Sequence, residues 1–209
     1  MFHVFCFTKG RRKMAKKIAI TGGIGSGKSV VSSYLIEKGY SVFSCDEIYG
    51  EIIFQPSYIQ KIAELFPGVV INGVIDRQKL AKTVFSNEEY RNRLNKVSHP
   101  LIMKELIEKM EKCKQIVFAE VPLLYEGGYE DLFDEIIVVK RDYAKRIQAI
   151  VNRDEIDEKY AKEKTLAQVN YDGQEMQEKL SKPNVTVVEN NNSLETLKCK
   201  INKLLDNLS

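Results

Sequence analysis

Short apolar runs alternate along the chain with longer stretches in which apolar positions recur at helical spacing. Two of the runs, at 114–124 and 133–140, are almost wholly apolar, which predicts strands covered on both faces. The predicted strands are 17–21, 40–45, 114–124, 133–140 and 184–190. The predicted helices are 27–38, which ends at Gly39, and 57–66, 76–84, 87–96, 99–113, 142–152, 155–169 and 193–207.

Strands that alternate with helices predict an α/β fold, with a five-stranded parallel sheet and helices on both faces. Ligands bind such sheets outside the carboxyl ends of the strands. Two helical segments, at about 46–113 and about 142–182, are longer than a crossover between strands requires. We interpret the first as an insertion that binds an acceptor and the second as a lid.

The composition is typical of a globular protein, with 209 residues, 44% of them hydrophobic and 29% charged. This length predicts a single domain over 14–209, and no apolar run approaches the roughly 18 residues of a membrane span. The net charge of +3 owes much to Lys9, Arg11, Arg12 and Lys13. Without these four, 28 basic residues face 29 acidic ones, so charge does not favour a nucleic-acid partner.

The first 13 residues precede the predicted fold, and their basic cluster follows their apolar residues, the reverse of a secretory signal. We interpret them as an extension, with Met14 as the start of the domain; a targeting segment is the alternative. The four cysteines share no short spacing, which argues against a zinc site or a disulfide framework. We therefore expect reduced thiols and a cytoplasmic location. We also expect a monomer, with an oligomer as the alternative.

The sequence TGGIGSGKSVV at 21–31 satisfies the pattern G-x-x-x-x-G-K-[ST] between a predicted strand and a predicted helix. Its glycines let backbone N–H groups turn toward phosphate oxygens, and the helix N-terminus adds its positive end. We expect Lys28 to reach the β- and γ-phosphates of a nucleoside triphosphate and Ser29 to ligate Mg²⁺. The predicted nucleotide contacts in this loop are Gly23, Ile24, Gly25, Ser26, Gly27, Lys28, Ser29 and Val30.

Asp46 follows the second predicted strand, at the sheet edge where the phosphate loop is expected. A carboxylate there can accept the proton of a hydroxyl group while its oxygen attacks the γ-phosphorus. The alternative is that Asp46 only caps the following helix, as aspartate often does. Glu47 is a weaker candidate for the same role.

An ordered series of motifs resembles the dephospho-CoA kinase family over about residues 17–192. The motifs are TGGIGSGKS, CDEI, GVIDRQKL, VSHPLI and VPLLYEGG. The resemblance implies a P-loop kinase core that transfers a phosphoryl group from ATP, with Mg²⁺, to the ribose 3′-hydroxyl of dephospho-CoA. This is the last step of coenzyme A biosynthesis. It also implies an acceptor-binding insertion and a lid, matching the two oversized segments.

The resemblance assigns Asp46 as the catalytic base and places Arg77 and His99 near the acceptor. Arg77 either pairs with the acceptor's pyrophosphate or forms a structural ion pair, while Asp76 is expected to cap the next helix. For His99 the alternative is a helix cap or a packing residue. Glu120 takes the position of a Walker B acid, with strand-end packing as the alternative.

Further residues follow from the same resemblance. Pro122, Leu123 and Leu124 suit an apolar wall for the adenine or the pantetheine arm, and Glu126 is a weaker acceptor contact. In the lid, Arg146 is expected to neutralise charge on the transferred group, and Arg153 to bind ATP; a solvated helix face is the alternative. Asn190 and Asn191, after the last predicted strand, are expected near the adenine.

Two departures from the family pattern stand out. Ser44 occupies a position that is commonly aspartate in the family. After Gln168, where the family usually has a basic residue, this chain has Asn170, Tyr171 and Asp172. Two other functions compete with the family's: a P-loop kinase with another small acceptor, and a GTP-dependent switch. The motif series argues against the first, and the lack of an N-K-x-D sequence argues against the second.

Overall fold

The computed structural model describes residues 15–85 and 87–208, so the predicted extension at 1–13 lies outside the described residues. The strands are β1 (Lys17–Thr21), β2 (Ser41–Ser44), β3 (Val70–Ile71), β4 (Val74–Ile75), β5 (Val117–Glu120), β6 (Glu135–Lys140) and β7 (Val185–Glu189). The helices are α1 (Lys28–Glu37), α2 (Cys45–Ile52), α3 (Pro56–Leu65), α4 (Arg77–Phe85), α5 (Glu88–Glu111), α6 (Leu124–Gly127), α7 (Tyr143–Asp154), α8 (Glu158–Leu166), α9 (Gln174–Leu180) and α10 (Leu194–Leu208).

The main sheet has five parallel strands in the order β2-β5-β1-β6-β7, which confirms the predicted fold class. β1 lies at its centre, with Ala19 opposite Ala119 of β5 and Ile136 of β6. The carboxyl ends of β1, β2 and β5 therefore lie at one edge. The segments that follow them carry the phosphate loop, Asp46 and the residues after Glu120.

Helices cover both faces of the sheet because neighbouring residues of each strand point to opposite faces. Ile18 and Ile20 belong to a core formed with α1 and α10. Ala19, between them, belongs to a second core formed mainly with α2, α3 and α5. A third, small cluster joins α7 and α8, and Ile24 of the phosphate loop packs against it. In the described ranges, no helix has both the length and the apolar character of a membrane span.

Helix α5 corrects the prediction of two helices at 87–96 and 99–113. It runs through Pro100, although a proline inside a helix removes one backbone hydrogen bond. Burial of one side of the helix explains why it continues through the proline. Ile102, Met103, Leu106 and Met110 are all buried there, and their packing opposes the local cost of the proline.

The predicted set lacked the hairpin β3–β4, the short helix α6, a 3-10 turn at Glu130–Leu132 and α9. The hairpin turns at Asn72 and Gly73, which both have positive φ (51° and 76°). Asn-Gly between two apolar pairs is a strong hairpin signal, so this hairpin could have been predicted from the sequence. The helix that was expected after Asp46 is present as α2, and it begins at Cys45.

Candidate active site

The phosphate loop, defined as residues 22–29, connects β1 to α1. Lys28 is 8% exposed, and its Nζ donates to the carbonyl oxygens of Gly22 (2.8 Å) and Gly23 (3.3 Å). Ser29 and Val30 are exposed in the first turn of α1. The loop thus presents a helix N-terminus and the Ser29 hydroxyl to solvent, and it holds the lysine against its own backbone.

Two glycines of the loop lie against side chains from later parts of the chain. A Cβ atom on Gly23 would collide with the guanidinium group of Arg146. Gly27 has a φ of 98°, and a Cβ atom there would collide with the amide nitrogen of Asn190. That amide donates to the carbonyl oxygen of Ser26 at 2.8 Å. A side chain at either position would therefore displace Arg146 or Asn190 from the loop, and at Gly27 it would also be strained by the positive φ.

Asp46 lies in the first turn of α2, where its side chain is exposed. The N-cap of α2 is Ser44, whose hydroxyl accepts a hydrogen bond from the Asp46 N–H at 3.2 Å. The alternative in which Asp46 serves only as the helix cap is therefore wrong. The same contact gives Ser44 a structural role at the position where the family pattern commonly has aspartate.

Glu120 ends β5, next to β1 and β2, and it is opposite Ile20 on one side and Ser44 on the other. Its Oε2 accepts a hydrogen bond from Ser32 Oγ of α1 at 2.7 Å. The side chain is half-buried at the base of the phosphate loop. This position fits the acid that was expected at the end of the third predicted strand.

Four charged side chains act on the Lys28 ammonium group. Burial lowers the pKa of Lys28 below its ordinary value of 10.5, which is the largest effect. The negative charges of Glu120 and Asp46 raise this pKa, and the positive charges of Arg146 and Arg153 lower it. The three strand ends and α7 therefore bring together charges of both signs around the loop.

Arg146 and Arg153 lie seven residues apart on α7, but their surroundings differ. Arg146 is 8% exposed, and its Nε donates to the Ile24 carbonyl oxygen at 2.9 Å. Burial lowers its pKa. Arg153 is exposed, and its Nε lies 2.7 Å from the Asp154 carboxylate. Hydrogen bonds from Arg153 and Lys164 hold the pKa of Asp154 well below its usual range. Arg146 thus supports the loop, while Arg153 lies at the solvent-exposed end of the helix.

The segment 168–172 is fixed beside the phosphate loop by hydrogen bonds. Gln168 Oε1 accepts from the Ile24 N–H at 2.6 Å, and the Tyr171 hydroxyl lies 3.1 Å from Thr21 Oγ1. Tyr171 is 3% exposed, and burial raises its pKa. A neutral, buried side chain therefore follows Gln168 where the family pattern has a base.

Cations reach this region from other elements. Asp172 pairs with Lys140, the last residue of β6, at 2.6 Å. Arg141, which the sequence analysis missed, donates from its NH1 group to the Gly25 carbonyl oxygen at 3.5 Å. Its Nε is buried without a hydrogen-bond partner among the described residues. The position of Arg141 directly after a central strand was the available signal, since parallel strands end at the ligand-binding edge.

The two asparagines after β7 have different contacts. Asn190 contacts the phosphate loop, as described above, whereas Asn191 connects β7 to the start of α7. Its Oδ1 accepts from the Asp142 N–H at 2.8 Å, and its carbonyl oxygen accepts from Lys145 Nζ at 2.6 Å. Asn191 is therefore near the loop that precedes α7, and no contact here tests its predicted role at the adenine.

An apolar cavity of about 240 Å³ lies beside Asp46. Its walls include Asp46, His99, Val121, Pro122, Leu123 and Tyr129. Leu123 lines it, whereas Leu124 is fully buried in the core, so the Leu124 side chain offers no surface to a ligand. This placement does not support the predicted side-chain contact from Leu124.

A second, more polar cavity of about 910 Å³ adjoins the first, and both are lined by Leu94, Asn95, His99, Leu123 and Tyr129. His99 lies in the middle of α5 rather than before a helix, so the cap alternative is wrong. Burial lowers its pKa, which favours the neutral imidazole. Glu126 also lines the second cavity, and its carboxylate accepts from the Val169 N–H at 3.0 Å.

Arg77 lies away from these contacts. It is the first residue of α4, it is exposed, and its guanidinium carbon is 5.6 Å from the centre of the Phe54 ring. It is not among the residues that line either cavity. The neighbouring prediction is confirmed, because Asp76 Oδ1 accepts from the Lys79 N–H at 2.9 Å and caps α4.

The oxygen atoms near the loop fit a magnesium ion that arrives with a nucleotide. The described residues contain no cluster of three or more His, Cys, Asp or Glu side chains that could hold a metal alone. The Ser29 hydroxyl and the Glu120 and Asp46 carboxylates lie at the same edge of the sheet. Mg²⁺ usually takes one or two such protein ligands together with phosphate oxygens and waters.

Comparisons with known proteins agree with this architecture. A family model described as dephospho-CoA kinase matches residues 16–196. A dephospho-CoA kinase of Fusobacterium nucleatum is 37% identical over 196 residues, covering 91% of this chain and 97% of the relative. One of Bacillus licheniformis is 36% identical over 204 residues, covering 94% and 98%. The crystal structure of TT1252 from Thermus thermophilus matches with a TM-score of 0.77 and 31% identity, covering 94% and 100%.

Proposed function

This chain belongs to the dephospho-CoA kinase family, and we propose that it transfers the γ-phosphoryl group of ATP to the ribose 3′-hydroxyl of dephospho-CoA. The products are ADP and coenzyme A. The observation that carries this proposal is the position of Asp46. Its carboxylate lies next to the phosphate loop and also lines the apolar cavity, so one group faces both the donor site and a space for an acceptor.

The phosphate loop binds ATP through the backbone of residues 23–30 and the positive end of α1. Lys28 exchanges its bonds to the loop carbonyls for bonds to the β- and γ-phosphates. Ser29 and Glu120 would hold the Mg²⁺ ion that accompanies ATP, and this ion would supply positive charge that neutralises the phosphate oxygens. Arg153 and Asn191 complete the predicted ATP contacts.

Asp46 accepts the proton of the 3′-hydroxyl and orients its oxygen in line with the γ-phosphorus. The P–O bond to ADP breaks as the new P–O bond forms. Charge spreads over the three equatorial oxygens of the transferred group, where Lys28 and Arg146 stabilise it. The Arg146 guanidinium group is already at the phosphate loop, because its Nε donates a hydrogen bond to the Ile24 carbonyl oxygen.

The acceptor lies between α2, α5 and the residues after β5. His99 and Glu126 line this region and are its predicted polar contacts. The helical segment 142–182 covers the donor side, and its approach to the bound substrates would exclude water, a competing acceptor. The acceptor roles of Arg77 and Leu124, the monomeric state and the cytoplasmic location stay predictions.

Measuring ADP release by the purified protein with ATP and Mg²⁺ tests this function. Dephospho-CoA is compared with AMP, a sugar acid and no acceptor. We expect release that depends on dephospho-CoA and a product that carries a 3′-phosphate. Release that AMP or the sugar acid stimulates instead would support the other P-loop kinase, and release that no added acceptor increases would contradict the kinase assignment.

The variant Asp46→Asn tests the base. It keeps the size of the side chain and the Ser44 cap but removes the proton acceptor, so kcat is expected to fall by about 10²- to 10⁴-fold. ATP affinity, measured by titration calorimetry, should change little. The matched control is Glu47→Gln, at the next position of α2. Near-normal turnover of Asp46→Asn would remove its role as the base.

A further inference from the structure

We propose that Ser32 of α1 is a positioning residue, which holds the Glu120 carboxylate by one oxygen and leaves the other oxygen free for the ion that accompanies ATP. The inference rests on the donor side of the proposed function, in which Ser29 and Glu120 would hold Mg²⁺. Ser32 itself contacts neither the nucleotide nor the ion, and it acts through Glu120.

The Ser32 hydroxyl group points away from its own helix. Thr83 of α4 and Ser98 of α5 donate to the carbonyl oxygens of Lys79 and Leu94, four residues earlier, which is a common arrangement for hydroxyl groups inside helices. Ser32 Oγ donates instead to Glu120 Oε2, which lies 2.7 Å away and 88 residues later in the chain. A hydrogen bond to a carboxylate is stronger than one to a neutral carbonyl group, so this contact fixes the direction of both side chains.

The hydrogen bond holds only one of the two oxygens of Glu120. Ser32 is 7% exposed, and Glu120 is half-buried at the end of β5. In the ranges 15–85 and 87–208, no residue donates a hydrogen bond to Glu120 Oε1. A carboxylate that is held through one oxygen keeps its orientation while the second oxygen can accept from a water molecule or bind a cation.

Two observations place this carboxylate at the donor side of the site. Glu120 raises the pKa of Lys28 more than Asp46 does, so its charge acts strongly at the phosphate loop. Ser29, the expected magnesium ligand, lies three residues before Ser32, which makes the two side chains neighbours on α1. One helix thus supplies Ser29 directly and orients Glu120 through Ser32.

Calorimetric titration of Ser32→Ala with adenylyl imidodiphosphate, a non-hydrolysable ATP analogue, tests the inference. In the presence of Mg²⁺ the affinity should fall about tenfold or more, the usual effect of removing a group that orients a metal ligand. In EDTA the affinity should change little. Ser32→Thr, which keeps the hydroxyl group, should restore the affinity in Mg²⁺. Ser33→Ala is the matched control, because Ser33 is exposed at the next position of α1.

A double-mutant cycle with Glu120→Gln shows whether Ser32 acts through Glu120. In the Glu120→Gln background, Ser32→Ala should cause little further loss of affinity in Mg²⁺, because the carboxylate that it orients is already gone. Additive losses, or an equal loss with Mg²⁺ and with EDTA, would overturn the inference and leave Ser32 a role only in the packing of α1. Ser32→Cys, a weak donor of similar size, replaces Ser32→Ala if that variant does not fold.

These titrations contain no acceptor, so they separate the inference from the proposed function. Unchanged affinity of Ser32→Ala in Mg²⁺, in a chain that phosphorylates dephospho-CoA, would overturn the inference alone. A loss confined to Mg²⁺, in a chain whose ADP release does not depend on dephospho-CoA, would support the inference and contradict the proposed function.

Discussion

Lys28 shows how a single side chain is prepared for a ligand. Its ammonium group donates to the carbonyl oxygens of Gly22 and Gly23 and is almost completely buried. Hydrogen bonds to these carbonyls partly replace the water that burial removes. Nucleotide binding therefore exchanges one set of acceptors for another, and phosphate oxygens are the stronger set because they are charged.

This environment predicts a pH dependence for ATP binding. Burial lowers the pKa of Lys28, and the ammonium form is lost as the pH rises through this lowered pKa. ATP affinity should therefore decline at a lower pH than a lysine with the ordinary value of 10.5 would allow. Titration calorimetry between about pH 7 and pH 10 measures it. A Lys28→Arg variant, which keeps its charge over this range, should show a smaller decline.

A constant ATP affinity up to pH 10 would show that Lys28 keeps an ordinary pKa or does not touch the nucleotide. The neighbouring Tyr171 does not confuse the result, since burial moves its pKa upward, out of the range of the titration. Between these two residues, a change in ATP affinity with pH is therefore assigned to Lys28.

At the scale of elements, the segment 168–172 does more than connect α8 to α9. Its contacts with Ile24 and Thr21 hold it against both ends of the strand-to-loop turn. Tyr171 also packs edge-on against the Tyr125 ring, with ring centroids 6.0 Å apart. The position that lacks the family's usual base thus contributes packing and a buried hydrogen bond beside the phosphate loop.

We predict that Tyr171→Phe lowers the free energy of unfolding by about 1 kcal/mol, because Thr21 loses a buried partner. Since Thr21 leads directly into the loop, KM for ATP should also rise. Chemical denaturation and steady-state kinetics measure the two effects. Tyr143→Phe, at an exposed tyrosine of α7, is the control and should change neither. A Tyr171→Phe enzyme with unchanged stability and KM would assign the tyrosine no supporting role.

The sequence predicted the five main strands and the phosphate loop because each has a local signal. Apolar runs specify the strands of a covered parallel sheet, and the glycine spacing specifies the loop. The hairpin β3–β4 was missed although its Asn-Gly turn is a local signal. The other failures came where distant packing decided. The break at Pro100 did not form because residues on one side of α5 are buried, and the contact of Arg141 with Gly25 joins residues that are distant in sequence.

At the scale of the whole molecule, the sheet is stabilised by cores on both of its faces. Leu106 of α5 is fully buried in the core that this helix shares with the sheet. Leu166 of α8, by contrast, is 80% exposed. The same substitution can therefore be compared at a buried leucine and at an exposed one.

Leu106→Ala should lower the free energy of unfolding by about 2–5 kcal/mol, because it removes buried methyl groups and leaves a cavity. Leu166→Ala should change it by about 0.5 kcal/mol or less. Urea denaturation measures both. Similar values for the two variants would mean that α5 does not pack on the sheet as described.

The strand order also determines when the main sheet can begin to form during synthesis. β1 and β2 are made first but do not pair with each other; both pair with β5, which begins at Val117. Lys17 must therefore wait for a partner 100 residues later in the chain. At about 5–20 residues per second, a ribosome needs roughly 5–20 s to make that stretch. During this time β1 has no partner strand, because it pairs only with β5 and β6. Its apolar side chains are then accessible to a chaperone.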